Sequence, residues 1–248
     1  MIPTILIFHG LGWPGYRAGE WLILVISGLI GIAVADTWYL RALNLMGASR
    51  TGVVGMLFSP FVVLLSMFFL GETLKPLQLL GFVIVLGGIL LVTWQRNRRE
   101  VSLRALRLGV AFGAGSVLLM AIGIVMVKPI LETHEFLWTV AVRLAAGSIG
   151  MLIFVSLSRG WNRMLLHYNA PQPWPTIIVA SLMGSYVSMM LWLAGYKLTA
   201  ASIASVLNET AAAFIVVFAW LMLGESLTRR KVLGVALAFV GVSVVVLI

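Results

Sequence analysis

Four stretches of this chain carry no charged residue: Thr51–Gly71, Pro76–Gln95, Leu108–Val127 and Tyr168–Tyr196. A helix needs roughly 20 apolar residues to cross a hydrocarbon layer of about 30 Å, and each stretch is long enough. Barrel strands would show alternating segments of about ten residues instead. These runs are continuous, so they are read as helices. Hydrophobic residues make up 61% of the chain and charged residues only 10%, against about 25% in soluble domains. So few charges cannot cover so much apolar surface in water, and lipid is the solvent the composition asks for.

The reading is an all-α polytopic membrane protein with eight transmembrane helices. The expected spans are roughly 20–43, 50–70, 76–95, 108–130, 137–157, 174–196, 200–223 and 230–248. Glycines inside them are ordinary for membrane helices, where they permit close backbone approach. The net charge of +9 suggests nucleic acid only in a soluble chain. Here the basic residues lie between spans, where the positive-inside bias accounts for them. Arg96, Arg98, Arg99, Arg104 and Arg107, then Arg159 and Arg163, then Arg229, Arg230 and Lys231, with Arg41 and Arg50, all fall on one side. The other side has Arg17, Lys75, Lys128 and Lys197. The charge rule makes the first face cytoplasmic and puts both chain ends outside. The start, Met1-Ile2-Pro3-Thr4, lacks the basic segment of a signal peptide. There is no cysteine, which excludes disulfides, thiolate metal sites and cysteine nucleophiles.

The stretch near 31–92 resembles the stretch near 184–245 at a fixed offset of 153 residues. Leu70-Gly71-Glu72-Thr73-Leu74 answers Leu223-Gly224-Glu225-Ser226-Leu227. Gly81 answers Gly234, Gly88 answers Gly241, Ala48-Ser49 answers Ala201-Ser202, Gly31 answers Gly184 and Leu40 answers Leu193. The Glu72 turn follows the second span and the Glu225 turn the seventh. Five crossings separate them, and an odd number inverts the second copy. Inverted repeats permit two related conformations open to opposite sides, the usual basis of alternating access. The copies are unequal: residues 1–99 form a first repeat of three helices and residues 100–248 a second of five. A complete pair requires two further helices before Met1.

The two Gly-Glu turns, Ser59-Pro60 ahead of Leu70-Gly71-Glu72, the glycines that follow, and Lys128 with Arg143 together resemble the EamA-type drug/metabolite transporter superfamily. The resemblance runs from Gly31 to Ile248. It implies a ten-helix secondary transporter of the bacterial inner membrane, with a cavity between two five-helix bundles and cytoplasmic termini. That topology conflicts with the charge reading, and the chain departs from it by lacking the first two helices. The start is then misplaced or truncated, or a reduced form assembles as an oligomer. Ala213 stands where the offset places the partner of Pro60.

Polar residues inside the spans are the site candidates, because lipid tolerates them poorly. Glu209, in Asn208-Glu209-Thr210, is the sharpest: it should face the bundle interior, to bind a proton or cation, orient a solute, or hydrogen-bond a neighbouring helix, within the chain or across a homodimer. Arg143 is suited to an anionic or carboxylate group, to pairing with Glu209 or Asp36, or to reaching the outer headgroups. Asp36 and Tyr39, with Tyr186 and Trp192 near the repeat position of Asp36, could line two sides of one cavity. Ring faces can hold flat or cationic solutes, and an aromatic belt with ordinary packing is the alternative. Lys128 reads as a snorkelling side chain, with a functional or gating role as the alternative, and Trp138 as an interfacial anchor. Ser59-Pro60 marks a kink or a broken helix with freed carbonyls. Gly71, Glu72, Gly224 and Glu225 read as turn and interface residues, with gating as the alternative.

No Walker A, HExxH or GxSxG sequence is present, and His9, His134 and His167 lack ligand spacing. No enzyme activity, cofactor or metal is expected. The expected partners are a small-molecule solute and membrane lipid. The rival readings are a non-transporting membrane interaction protein or incomplete product of a ten-helix transporter, and an intramembrane enzyme, which would need a clustered nucleophile or acid-base set that the sequence does not clearly offer.

Overall fold

The computed structural model describes residues 15–93, 102–157, 173–223 and 228–247, and every regular element among them is helical. In chain order the helices are α1 (Ala18–Met46), α2 (Ala48–Gly55), α3 (Phe58–Phe69), α4 (Pro76–Thr93), α5 (Leu103–Thr133), α6 (Phe136–Leu157), α7 (Trp174–Leu198), α8 (Ala201–Leu223) and α9 (Arg229–Leu247). Six stretches are long and apolar enough to cross a bilayer: α1, Arg50–Phe69 (most of α2 with α3), α5, α6, α7 and α9. Pro76–Leu91 is a shorter apolar helix. Phe68, Phe69, Leu157, Leu191 and Leu247 are among the apolar side chains that stand exposed. A water-solvated surface would not carry them in such number, whereas acyl chains match them.

Three local features shape these helices. α1 and α7 each contain a π-helical stretch, Leu29–Val34 and Leu182–Val187. The two begin and end 153 residues apart. The second expected span is not one continuous helix, and α2 stops at Gly55 before α3 starts at Phe58. Pro60 has no N–H to offer the Met56 carbonyl, and its ring crowds that turn. The chain tightens there instead: Met56 and Leu57 N–H donate to the carbonyls three residues back, Val53 and Val54, at 3.3 and 3.1 Å. The equivalent segment of α8 runs unbroken, with Ala213 in place of proline. Gly47 and Gly71 end α1 and α3 at φ 83° and 68°. An L side chain is strained in that region, which explains glycine in both turns.

The helices group into two compact units that interleave along the chain. One holds Met1–Val34 with Met126–Leu198, and the other Ala35–Val125 with Thr199–Ile248. In the first, α1 lies against α6 at Gly28, where an added Cβ would stand 2.4 Å from the Arg143 carbonyl oxygen. Tyr16 closes one end, with its hydroxyl 2.8 Å from Thr139 Oγ1 and its ring against His134.

In the second unit α4 and α9 pack antiparallel, close enough for backbones to meet. A Cβ on Gly81 would lie 2.8 Å from the Gly241 carbonyl, and one on Gly88 would lie 2.6 Å from the Gly234 carbonyl. Small residues allow such approach, and dispersion and weak contacts then hold the helices in lipid. Val85, Ile89, Val206 and Val245 form part of the core around this pair.

Candidate functional site

Glu209 lies on α8 opposite the broken end of α3. Ser59 is fully buried. Its Oγ stands 2.6 Å from Glu209 Oε1 and 2.9 Å from the Ser205 carbonyl. Ser205 lies one turn before Glu209 on α8, so both acceptors come from one helix face. A hydroxyl has one proton and two acceptor lone pairs. With Glu209 ionised, Ser59 can donate to one acceptor at a time. With Glu209 protonated, the carboxyl donates to Ser59 Oγ and Ser59 donates to Ser205, so every group is satisfied. The site therefore gives two hydrogen-bond patterns that differ by one proton. The partner of Glu209 belongs to the same chain, so no second copy is needed to explain its position. Asn208, beside it, is exposed.

Glu72 has a different task. Its Oε1 accepts from the Ala201 N–H at 2.7 Å, and its Oε2 from the Ser202 N–H at 2.8 Å and Ser202 Oγ at 2.7 Å. These are donors of the first turn of α8, which have no intrahelical acceptor. A carboxylate there also meets the positive end of the helix dipole. Glu72 is thus a cap supplied from a distant turn. The matching residues Gly224 and Glu225 lie outside the described residues.

Arg143 sits in the other unit, on α6, and is 2% exposed. Its Nε and Nη1 are buried without a hydrogen-bond partner. The guanidinium carbon lies 5.9 Å from the Trp192 ring centroid. Trp192 meets Tyr196, one turn further along α7, edge-on at 5.1 Å. Tyr196 was not singled out by sequence; its spacing of four from Trp192 was the available signal.

Asp36 and Tyr39 are half-buried on α1, just after its π-helical stretch, in the unit that holds Glu209. Tyr186 and Trp192, also half-buried, belong to the unit that holds Arg143. Tyr186 is itself within the π-helical part of α7. Lys128 is buried, and its ammonium pairs with Glu132 one turn on. That carboxylate is half-exposed, near the end of α5. The polar turn at His134 is tied to its surroundings, since Lys197 Nζ donates to the His134 carbonyl at 3.0 Å and Glu20 Oε2 lies 3.4 Å from His134 Nε2. Among the described residues no group of His, Asp and Glu could hold a metal ion.

A model of the EamA-like transporter family matches residues 1–94 and 107–247. The chain belongs to the EamA-like transporter family. Membership and the apolar helices support an integral membrane protein. One relative is a Bacillus subtilis (strain 168) protein described as the uncharacterized transporter YvbV, 24% identical over 188 residues. The match covers 75% of this chain and 57% of the Bacillus protein. This EamA-like chain therefore spans little more than half the length of that relative. A solved crystal structure superposes with a TM-score of 0.72 at 18% identity, covering 94% of this chain and 77% of the other. That likeness is one of fold.

Proposed function

We propose that this protein is a secondary transporter that moves a small metabolite or drug-like solute across the bacterial inner membrane by alternating access. In this reading α4 and α8 join the six candidate spans to give eight crossings. The three helices of residues 1–99 are then an inverted relative of the last three of residues 100–248. The observation that carries the reading is a coincidence of register. The π-helical stretches of α1 and α7 are 153 residues apart, the offset at which the sequences match. The α4–α9 contacts obey the same offset: moving each partner by it turns Gly81 with Gly241 into Gly234 with Gly88. A contact that maps onto another in this way is what a two-fold between related helices produces.

Against that symmetry Glu209 is an exception. The offset sets it opposite Met56, and sets Ser59 opposite Ala212. Met56 and Ala212 both pack against the apolar core. One member of the pair of contacts is polar and the other is not, so symmetry of packing does not account for the carboxylate. A carboxylate at membrane depth costs a few kcal/mol or more, and it is retained where it can take up and release a proton or cation during transport. The two hydrogen-bond patterns at Ser59 then communicate its charge state to the broken end of α3.

The test is a solute screen on the protein in proteoliposomes, with Glu209→Gln beside it. Uptake driven by an imposed proton or ion gradient should collapse in Glu209→Gln, while solute exchange without a gradient persists. Gradient-driven uptake equal to wild type would remove the coupling role. Absence of any flux across the screen would remove the transport reading.

A further inference from the structure

We infer that the solute presents a single negative charge, as an organic carboxylate, to Arg143 beside Trp192 in the unit formed by Met1–Val34 and Met126–Leu198, an inference that rests on the transport reading above. A guanidinium does not lose its proton under ordinary conditions, so burial leaves a full charge inside the protein. Such a group is retained when an anion or a set of acceptors compensates it. Arg143 is 2% exposed, yet its Nε and Nη1 have no acceptor. Among the described residues of this unit, Lys128 pairs with Glu132, Lys197 donates to the His134 carbonyl, and Arg17 lies exposed just before α1. Two donors of Arg143, Nε and Nη1, are therefore buried and unsatisfied, and a ligand acceptor that reached them would pair them.

The surroundings narrow the chemistry. One buried guanidinium balances one negative charge. A phosphate dianion would bring a second charge that nothing described beside Arg143 neutralises. A carboxylate matches both the charge and the planar donor geometry. Trp192 lies against the guanidinium and Tyr196 against Trp192, so the part of the solute next to its carboxylate would meet ring edges and faces. That favours a flat or apolar body over a sugar-like one.

The experiment measures binding to the purified full chain in nanodiscs, by thermal shift and by tryptophan fluorescence. Benzoate is the probe, with benzamide, benzylamine and inorganic phosphate as controls. Benzoate at millimolar concentration should raise Tm and change the emission. The three controls should not. Trp192→Phe should remove the fluorescence response, which separates it from the other tryptophans. Arg143→Gln should weaken benzoate binding by about tenfold or more, the scale of a lost charge-assisted hydrogen bond, and Arg143→Lys should recover part of it. If Arg143→Gln does not elute as a monodisperse protein, Arg143→Lys and Trp192→Leu carry the test, and each should weaken benzoate several-fold. No benzoate response in wild type, benzamide or phosphate binding as well as benzoate, or unchanged affinity in the folded variants would overturn the assignment. The two readings fail differently. Benzoate binding without flux in proteoliposomes counts against transport and leaves the site. Flux of neutral or cationic solutes that benzoate does not inhibit leaves transport and removes the site.

Discussion

Ser59 carries one proton and faces two acceptors, and much of the chemistry of its unit follows from that shortage. Replacing it with alanine removes the donor to Glu209 and the second donor to the Ser205 carbonyl. Ser59→Ala and Glu209→Gln should therefore be non-additive in gradient-driven uptake, with the double variant no worse than Glu209→Gln alone, because both act on one hydrogen-bond unit. Independent, additive losses would separate the two residues. Glu72 makes a contrasting case. It holds three donors at the start of α8, and loss of a cap costs roughly 1–2 kcal/mol. Glu72→Ala should lower the thermal midpoint in detergent without abolishing the benzoate response. Glu209 was legible in sequence because an acidic residue interrupts an apolar run. Its partner was not, since Ser59 and Glu209 are 150 residues apart and serine is common in membrane helices. Glu72 was visible as a recurring turn residue, but the helix it caps begins 129 residues later.

Two packing devices act at the level of whole helices. The first is backbone contact between α4 and α9. Any side chain at Gly88 would enter the Gly234 carbonyl, and backbone cannot swing aside as a side-chain tip can. Gly88→Leu should force the helices apart and lower stability by roughly 1–3 kcal/mol, the usual range for overpacking. Thermal unfolding of the variant beside Gly87→Leu, where nothing lies within 4 Å, measures the difference. The second device is the interruption between α2 and α3. Pro60→Ala restores the missing donor, so a continuous helix across Met56 and Leu57 becomes available. The variant should keep its fold by circular dichroism. It should lose gradient-driven uptake if the interruption is what lets Ser59 answer the charge of Glu209. The proline predicted a break or a kink. Where it opened, three to four residues earlier, follows from the i to i−4 bonding of helices. The π-helical stretches were invisible as such: glycines at 31 and 184 mark them, but glycine in a membrane helix has many uses.

At the scale of the molecule the repeat makes a claim about sidedness. The eight-span reading puts five crossings between Glu72 and Glu225, and so predicts that the two residues lie on opposite faces of the membrane. The chain has no cysteine, so Thr73→Cys and Ser226→Cys each introduce a single reporter. A membrane-impermeant maleimide applied to right-side-out vesicles should label one and not the other, and inside-out vesicles should reverse the pattern. Labelling of both from one side would remove the inverted repeat and alternating access with it. The same experiment decides between the charge-based orientation, which puts Arg229, Arg230 and Lys231 in the cytoplasm, and the opposite one implied by the family's cytoplasmic termini. The candidate residues divide between the compact units, with Asp36, Tyr39, Asn208 and Glu209 in one and Arg143, Tyr186 and Trp192 in the other. Those units do not coincide with the sequence halves at residue 99, because α1 and α5 each pass from one unit to the other.

Sequence alone determined the solvent, the helical class and the internal offset. Hydropathy and register are properties of residues in order, and a lipid layer reads them without knowing which helix lies beside which. The tertiary structure decided who meets whom: the Ser59 hydroxyl at Glu209, the Glu72 carboxylate at the start of α8, and Gly81 at Gly241. It also left Nε and Nη1 of Arg143 enclosed without an acceptor. Such pairings depend on backbone separations of a few ångströms between segments far apart in the chain, and no local pattern of residue types encodes that distance.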